Sequence, residues 1–147
     1  MKKGLIILML AIIAIPSFAV SPANTPKNEV IELDESGFIK HVFDYKNNTE
    51  WNYKGDKPAI IDFYASWCGP CKQLAPILVS LQADYGGKIQ VYKIDAEANR
   101  ELAAAFGVTA YPTVLFVPKT GDPAGVRGLL PKEELEKIIG DFLKVTK

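Results

Sequence analysis

Cys68 and Cys71 are the only cysteines among 147 residues, and they stand two residues apart in Ser66-Trp67-Cys68-Gly69-Pro70-Cys71-Lys72. Two thiols at that spacing can hold a metal, staple the chain or exchange disulfides. A structural zinc takes four protein ligands, usually Cys or His. This chain offers two cysteines and one distant histidine, His41, which reads as a surface helix residue; no metal site is expected unless a second chain contributes. Covalent haem attachment needs a histidine directly after the second cysteine, and position 72 is lysine. A staple remains chemically available, but closing a four-residue loop contributes only about 2 kcal/mol, and it would join no distant segments.

Reactivity accounts for more of the neighbouring residues. Cys68 comes just after the apolar run Ala59–Tyr64 and opens a helix, because Pro70 suits a first-turn position. At a helix start its sulfur faces unsatisfied N–H groups and the positive end of the helix dipole. Both favour the thiolate, the nucleophilic form. Cys71, one turn on, is expected to lie inward of Cys68 and to be less exposed, placed to resolve a mixed disulfide. Trp67 either shields one side of the pair or belongs to the core; the two are compatible. Asp62 is the one charged residue in Ala59–Tyr64 (AIIDFY). Desolvation inside a buried strand raises a carboxyl pKa, so Asp62 is expected to exchange a proton with Cys71 near neutral pH, directly or through water. The alternative is an edge-strand Asp facing solvent.

The elements that must hold these groups follow from periodicity. Val30–Leu33 reads as a short strand, and Asp34 caps a helix carrying Phe38, Ile39, Val42 and Phe43. The polar stretch 47–58 is a connector from which Trp51 and Tyr53 fold back onto the core. Ala59–Tyr64 has the composition of a strand buried on both faces. Leu74, Ile77, Leu78 and Leu81 give a helical stripe ending at Gly86-Gly87, and Ile89–Ile94 is the next strand. Asn99–Phe106 is an alanine-rich helix stopped by Gly107, and Thr113–Val117 is a further buried strand. Residues 118–123 turn into a hairpin strand, Ala124–Gly128, and Pro131 opens a last helix with Leu135, Ile138, Ile139 and Phe142 on one face. Alternating strands and helices call for an α/β fold with a parallel core, to which the hairpin adds an antiparallel edge.

The N-terminus has the order of a secretory signal. Lys2 and Lys3 precede eleven residues without a polar side chain, Leu5–Ile15, then Pro16 and the small-residue site Ser17-Phe18-Ala19. That run is short of the ~20 residues of a spanning helix. Cleavage is expected after Ala19, with Ala23 as a second possible site, and an uncleaved membrane anchor is the competing reading. No cysteine follows for lipid attachment, so an exported, periplasmic protein is expected. The predicted divisions are 1–19 signal peptide, 20–28 flexible lead-in and 29–147 a single folded domain. The full chain has 17 basic and 17 acidic residues. Without Lys2 and Lys3 the basic residues fall to 15, a net charge of −2. No basic run with interleaved aromatics suggests nucleic acid. With 48% apolar residues the chain can bury a core without cross-links.

Trp67-Cys68-Gly69-Pro70-Cys71-Lys72, following a buried strand, closely resembles the active-site motif of the thioredoxin family, and the resemblance runs from about Val30 to the C-terminus. It implies a thioredoxin fold, a central mixed β-sheet flanked by helices on both faces. It also implies that Asp62 is the family's buried carboxylate and that Tyr111-Pro112-Thr113 is its cis-proline turn beside the dithiol. Trp67, Gly69, Pro70, Tyr111, Pro112 and Gly128 would then form the substrate-binding surface, with the Tyr111 backbone pairing to a substrate segment. Gly107 matches another family glycine, although for Gly107 and Gly128 a simple turn requirement is an equal reading. The chain also departs from the family. Tyr111 is larger and more polar than the residue usual before that proline, and Tyr64 stands where many members have Trp. Val91 stands where some members place a lysine near the buried Asp, with Lys93 two residues beyond.

The expected activity is thiol–disulfide exchange on protein substrates through Cys68 and Cys71, with no cofactor. The expected protein is a monomer served by a membrane redox partner. The Gly-Pro pair resembles reducing thioredoxins, whose potential is about −270 mV against about −120 mV for a strong periplasmic oxidant, a gap on the order of 7 kcal/mol. An extracytoplasmic reductant is therefore expected. The alternatives are an oxidant or isomerase in disulfide formation, or a non-catalytic binding or metallochaperone module.

Overall fold

The computed structural model describes residues 29–147; the expected signal peptide (1–19) and lead-in (20–28) lie outside the described residues. The elements in chain order are β1 (Ile31–Glu32), α1 (Glu35–His41), β2 (Ala59–Tyr64), α2 (Gly69–Asp84), β3 (Gln90–Asp95), α3 (Arg100–Ala105), β4 (Thr113–Val117), β5 (Ala124–Arg127) and α4 (Lys132–Asp141). They match the expected segments to within a residue or two. β1 is shorter than expected because Asp34 has already turned to cap α1, its carboxylate accepting from the Gly37 N–H at 2.7 Å. α3 is shorter because Asn99 serves as its N-cap residue.

The sheet runs β1-β3-β2-β4-β5. β1 and β2 lie parallel to β3, whereas β4 is antiparallel to β2 and β5 to β4. This is the mixed sheet expected, with β2 at its centre. Successive side chains along β2 point to opposite faces. Ala59, Ile61 and Phe63 pack with Phe38 and Val42 in the α1 segment and Leu102 of α3; Trp51 and Tyr53 do fold back onto this layer. Ile60 packs on the other face with Leu74, Leu78 and Leu81 of α2 and Leu135 and Ile139 of α4. Helices therefore cover both faces, and the apolar run AIIDFY is explained by burial on each.

Asp62 has the same parity as Ile60, so it points into the α2 layer. β2 ends at Tyr64, and residues 65–68 carry the chain into α2 with Cys68 as its N-cap residue and Pro70 in the first turn. The central strand thus delivers both the carboxylate and the cysteines to one end of the sheet. Pro76 lies within α2, where it supplies no N–H to the Lys72 carbonyl. Gln82 ties α2 to β3, accepting from the Val91 N–H at 2.6 Å and donating to the Ile89 carbonyl at 3.1 Å.

Leu78 is almost wholly buried between α2 and the sheet. Leu78→Ala is expected to lower unfolding stability by about 2–5 kcal/mol in urea titration. A loss below about 1 kcal/mol would contradict this packing.

Candidate active site

Cys68 and Cys71 form a disulfide across the first turn of α2, with their Cα atoms 5.3 Å apart. The Cys71 N–H points at Cys68 Sγ at 3.2 Å. When the disulfide is reduced, that N–H and the N-terminal end of the 16-residue helix favour negative charge on Cys68. The expected difference in exposure is not seen. In the disulfide form both cysteines are 4% exposed, because the bond draws the two sulfurs under one cover. Ala65, Tyr64 and Tyr111 pack against them.

Asp62 is 3% exposed, which removes the solvent-facing alternative. Among the described residues its buried Oδ1 has no hydrogen-bond partner. Burial pushes the carboxyl up from its ordinary 3.8 to about 7, against a smaller downward pull from the Lys93 ammonium. Lys93 is the register partner of Asp62 on β3 and lies on the same face of the sheet. A cleft of about 160 Å³ is lined by Asp62 and Cys71 together with Tyr64, Ser66, Lys72 and Lys93. Asp62 and Cys71 therefore share one small space, large enough to admit a water.

Trp67 is 65% exposed, so it is not a core residue. It stands outside the disulfide, its indole N–H donating to Glu97 at 2.9 Å and its ring set edge-on to Tyr111 at 5.9 Å. Gly69 and Pro70 are exposed beside it. The Tyr111–Pro112 peptide bond is cis, and Pro112 itself is buried. Gly128 has a positive φ of 94° and donates its N–H to the Pro112 carbonyl at 2.8 Å, which fastens its loop to the proline turn. The structure thus gathers Cys68, Cys71, Trp67, Tyr111, Pro112 and Gly128 around the end of β2, with Asp62 behind them. Gly107 has a positive φ of 64° at the end of α3, the turn role that its position predicts.

Glu97 and Glu32 also stand at the site, and residue pattern alone does not mark them. Glu97 lies in the β3–α3 turn, and nothing in the sequence separates it from other surface acids. Glu32 pairs with Lys93 at 3.1 Å and accepts from the Tyr64 hydroxyl at 2.7 Å. The clue to Glu32 was the register of β1 on β3, which sequence pattern does not supply.

A mixed sheet with a disulfide at a helix N-terminus and a buried carboxyl behind it defines a thiol–disulfide oxidoreductase of the α/β class. The family model described as Thioredoxin matches residues 29–141. The chain is 48% identical over 112 residues to a thioredoxin of Borreliella burgdorferi, covering 76% of this chain and 96% of that protein. It is 47% identical over 85 residues to a thioredoxin of Staphylococcus saprophyticus, covering 57% of this chain and 81% of the relative. The crystal structure of chloroplastic thioredoxin z superposes with a TM-score of 0.65 at 26% identity, over 76% of this chain and 92% of that one. The chain belongs to the thioredoxin family, and its chemistry is thiol–disulfide exchange.

The raised Asp62 carboxyl has a stability consequence. Between about pH 4 and pH 7 the folded protein holds a proton that the unfolded chain has released, so stability falls as pH rises through that window. The full cost above pH 7 is at most on the order of 4 kcal/mol. Asp62→Asn is expected to flatten this slope and to stabilise the oxidised protein at pH 8, by urea titration. Equal pH slopes in the two proteins would contradict the burial account.

Proposed function

We propose that this protein is an extracytoplasmic protein-disulfide reductase in which Cys68 is the nucleophile, Cys71 the resolving thiol and Asp62 the proton acceptor. The observation that carries the proton role is the buried Asp62 carboxyl, its Oδ1 without a partner among the described residues, in the cleft it shares with Cys71. The Cys68 thiolate attacks one sulfur of a substrate disulfide, forming a mixed disulfide and releasing the other sulfur as a thiolate that takes a proton from solvent. Cys71 gives its proton to Asp62, directly or through water, and attacks Cys68 Sγ. The Cys68–Cys71 bond forms, the mixed disulfide breaks, and the second substrate sulfur leaves and is protonated. Two electrons pass from the dithiol to the substrate. The dithiol is the electron carrier, so no cofactor enters this cycle.

Trp67, Gly69, Pro70, Tyr111, Pro112 and Gly128 form the surface on which the substrate lies. Its extended segment pairs with the Tyr111 backbone as an added strand, a mode that tolerates varied side chains. Export is supported by the segment Lys2–Ala19, and it makes a membrane-embedded reductant the natural electron donor to a monomeric carrier. Export also favours a second reading, an oxidant or isomerase working from the oxidised form. A binding or metallochaperone module is a third, and it would keep its ligand when both cysteines are replaced by serine.

Insulin reduction tests the exchange chemistry. The mature protein with dithiothreitol is expected to accelerate precipitation over dithiothreitol alone, and Cys68→Ser to abolish the acceleration. Unchanged turnover in Cys68→Ser would remove the mechanism. Asp62→Asn is expected to slow resolution of the mixed disulfide about 100-fold or more near neutral pH, read by quenched-flow mass analysis. Equilibration with glutathione is expected to give a potential near −270 mV, and a value well above −200 mV would favour the oxidant. Cell fractionation is expected to find the protein outside the cytoplasm and shortened at its N-terminus. A full-length cytoplasmic form would overturn the export reading.

A further inference from the structure

The cleft over Asp62 has a closed end and an open end. Asp62 and Cys71 are buried, whereas Tyr64, Lys72 and Lys93 line the same cleft with partial or full exposure. Lys93 faces Asp62 across the β2–β3 register, yet its Nζ lies 3.1 Å from Glu32 on the neighbouring edge strand. The Tyr64 hydroxyl donates to the same Glu32 carboxylate at 2.7 Å, and the Lys93 ammonium lies 5.6 Å from the Tyr64 ring centre. One exposed carboxylate therefore holds two side chains that flank the cleft. Its register partner on β3 is Lys93 itself, so the ladder sets this pairing.

We propose that Glu32 is a positioning residue for the exchange reaction: by binding Lys93 and Tyr64 it fixes both at the open end of the cleft and draws the Lys93 ammonium away from Asp62. This rests on the proton-transfer role given to Asp62 above. The charged and titratable groups around Asp62 are few. β3 contributes Lys93 and, two residues on, Asp95, whose carboxylate accepts the Glu97 and Ala98 N–H groups. α2 contributes Cys71 and Lys72, β2 contributes Tyr64, and β4 places apolar Val114 in register. Lys93 is thus the cation whose position matters, and Glu32 sets it. An exposed ion pair of this kind adds little stability, so its consequence lies in where the charge sits.

The sign follows directly. Glu32→Gln frees the ammonium to approach Asp62 and removes a nearby negative charge; both favour the carboxylate. Lys93→Met removes the attraction and favours the protonated acid. The test is a pH titration of the Asp62 side-chain carboxyl by carbon-13 NMR in the oxidised protein, where the cysteines do not titrate. Glu32→Gln is expected to lower the midpoint by roughly half a pH unit or more and Lys93→Met to raise it by a similar amount. In the Lys93→Met background, Glu32→Gln is expected to move the midpoint far less than it does alone. An unmoved midpoint in Glu32→Gln would overturn the proposal. So would an equal shift with and without Lys93, which would mean that Glu32 acts only through its own charge. These readouts need no turnover, so they stand apart from the Asp62→Asn kinetics that test the proton-transfer role.

Discussion

The site depends on one constraint: β2 is the central strand of the sheet and is covered on both faces. The side chains from Ala59 to Phe63 enter one layer or the other, and Asp62 enters the α2 layer by parity. There its carboxyl loses water and gains no partner at Oδ1 among the described residues. A carboxylate in that position is costly, and the group relieves the cost by keeping its proton to about pH 7. The same strand ends four residues before the α2 N-cap, Cys68. Burial of the acid and exposure of the sulfurs to the helix N-terminus are therefore two consequences of one strand–turn–helix unit.

The remaining elements supply what that unit lacks. The cis Tyr111–Pro112 bond leads directly into β4, and Tyr111 packs against the cysteine cluster. The Gly128 N–H bonded to the Pro112 carbonyl brings the β5–α4 connection to the same end of the sheet. Trp67, held by Glu97, forms an exposed wall beside the disulfide. On the opposite side, β1 contributes only two residues to the sheet, yet one of them, Glu32, organises Lys93 and Tyr64 at the cleft over Asp62.

Much of this was legible from residue order. The segment AIIDFY identified a doubly buried strand because no amphipathic alternation interrupts it. Cys68 and Pro70 then marked the helix start, and the placement of Asp62 followed from the strand. What stayed hidden depended on long-range register and packing. Trp67 is equally compatible in sequence with core and surface; only its contacts with Glu97 and Tyr111 place it outside. Val91 drew attention as the position where some relatives have a lysine, whereas the cation facing Asp62 is Lys93, brought there by the β2–β3 register. The equal burial of the two cysteines also departs from the sequence expectation, since helix periodicity describes each thiol separately and the disulfide joins them.

The fold keeps the Asp62 carboxyl protonated to near neutrality behind the dithiol. The most direct measurement is the pH titration of that carboxyl by carbon-13 NMR in the unmodified oxidised protein. Burial of Asp62 predicts a midpoint near 7. A midpoint near the ordinary aspartate value of about 4 would contradict it, because so weakly basic a carboxylate would have little drive to take the proton of Cys71 at neutral pH.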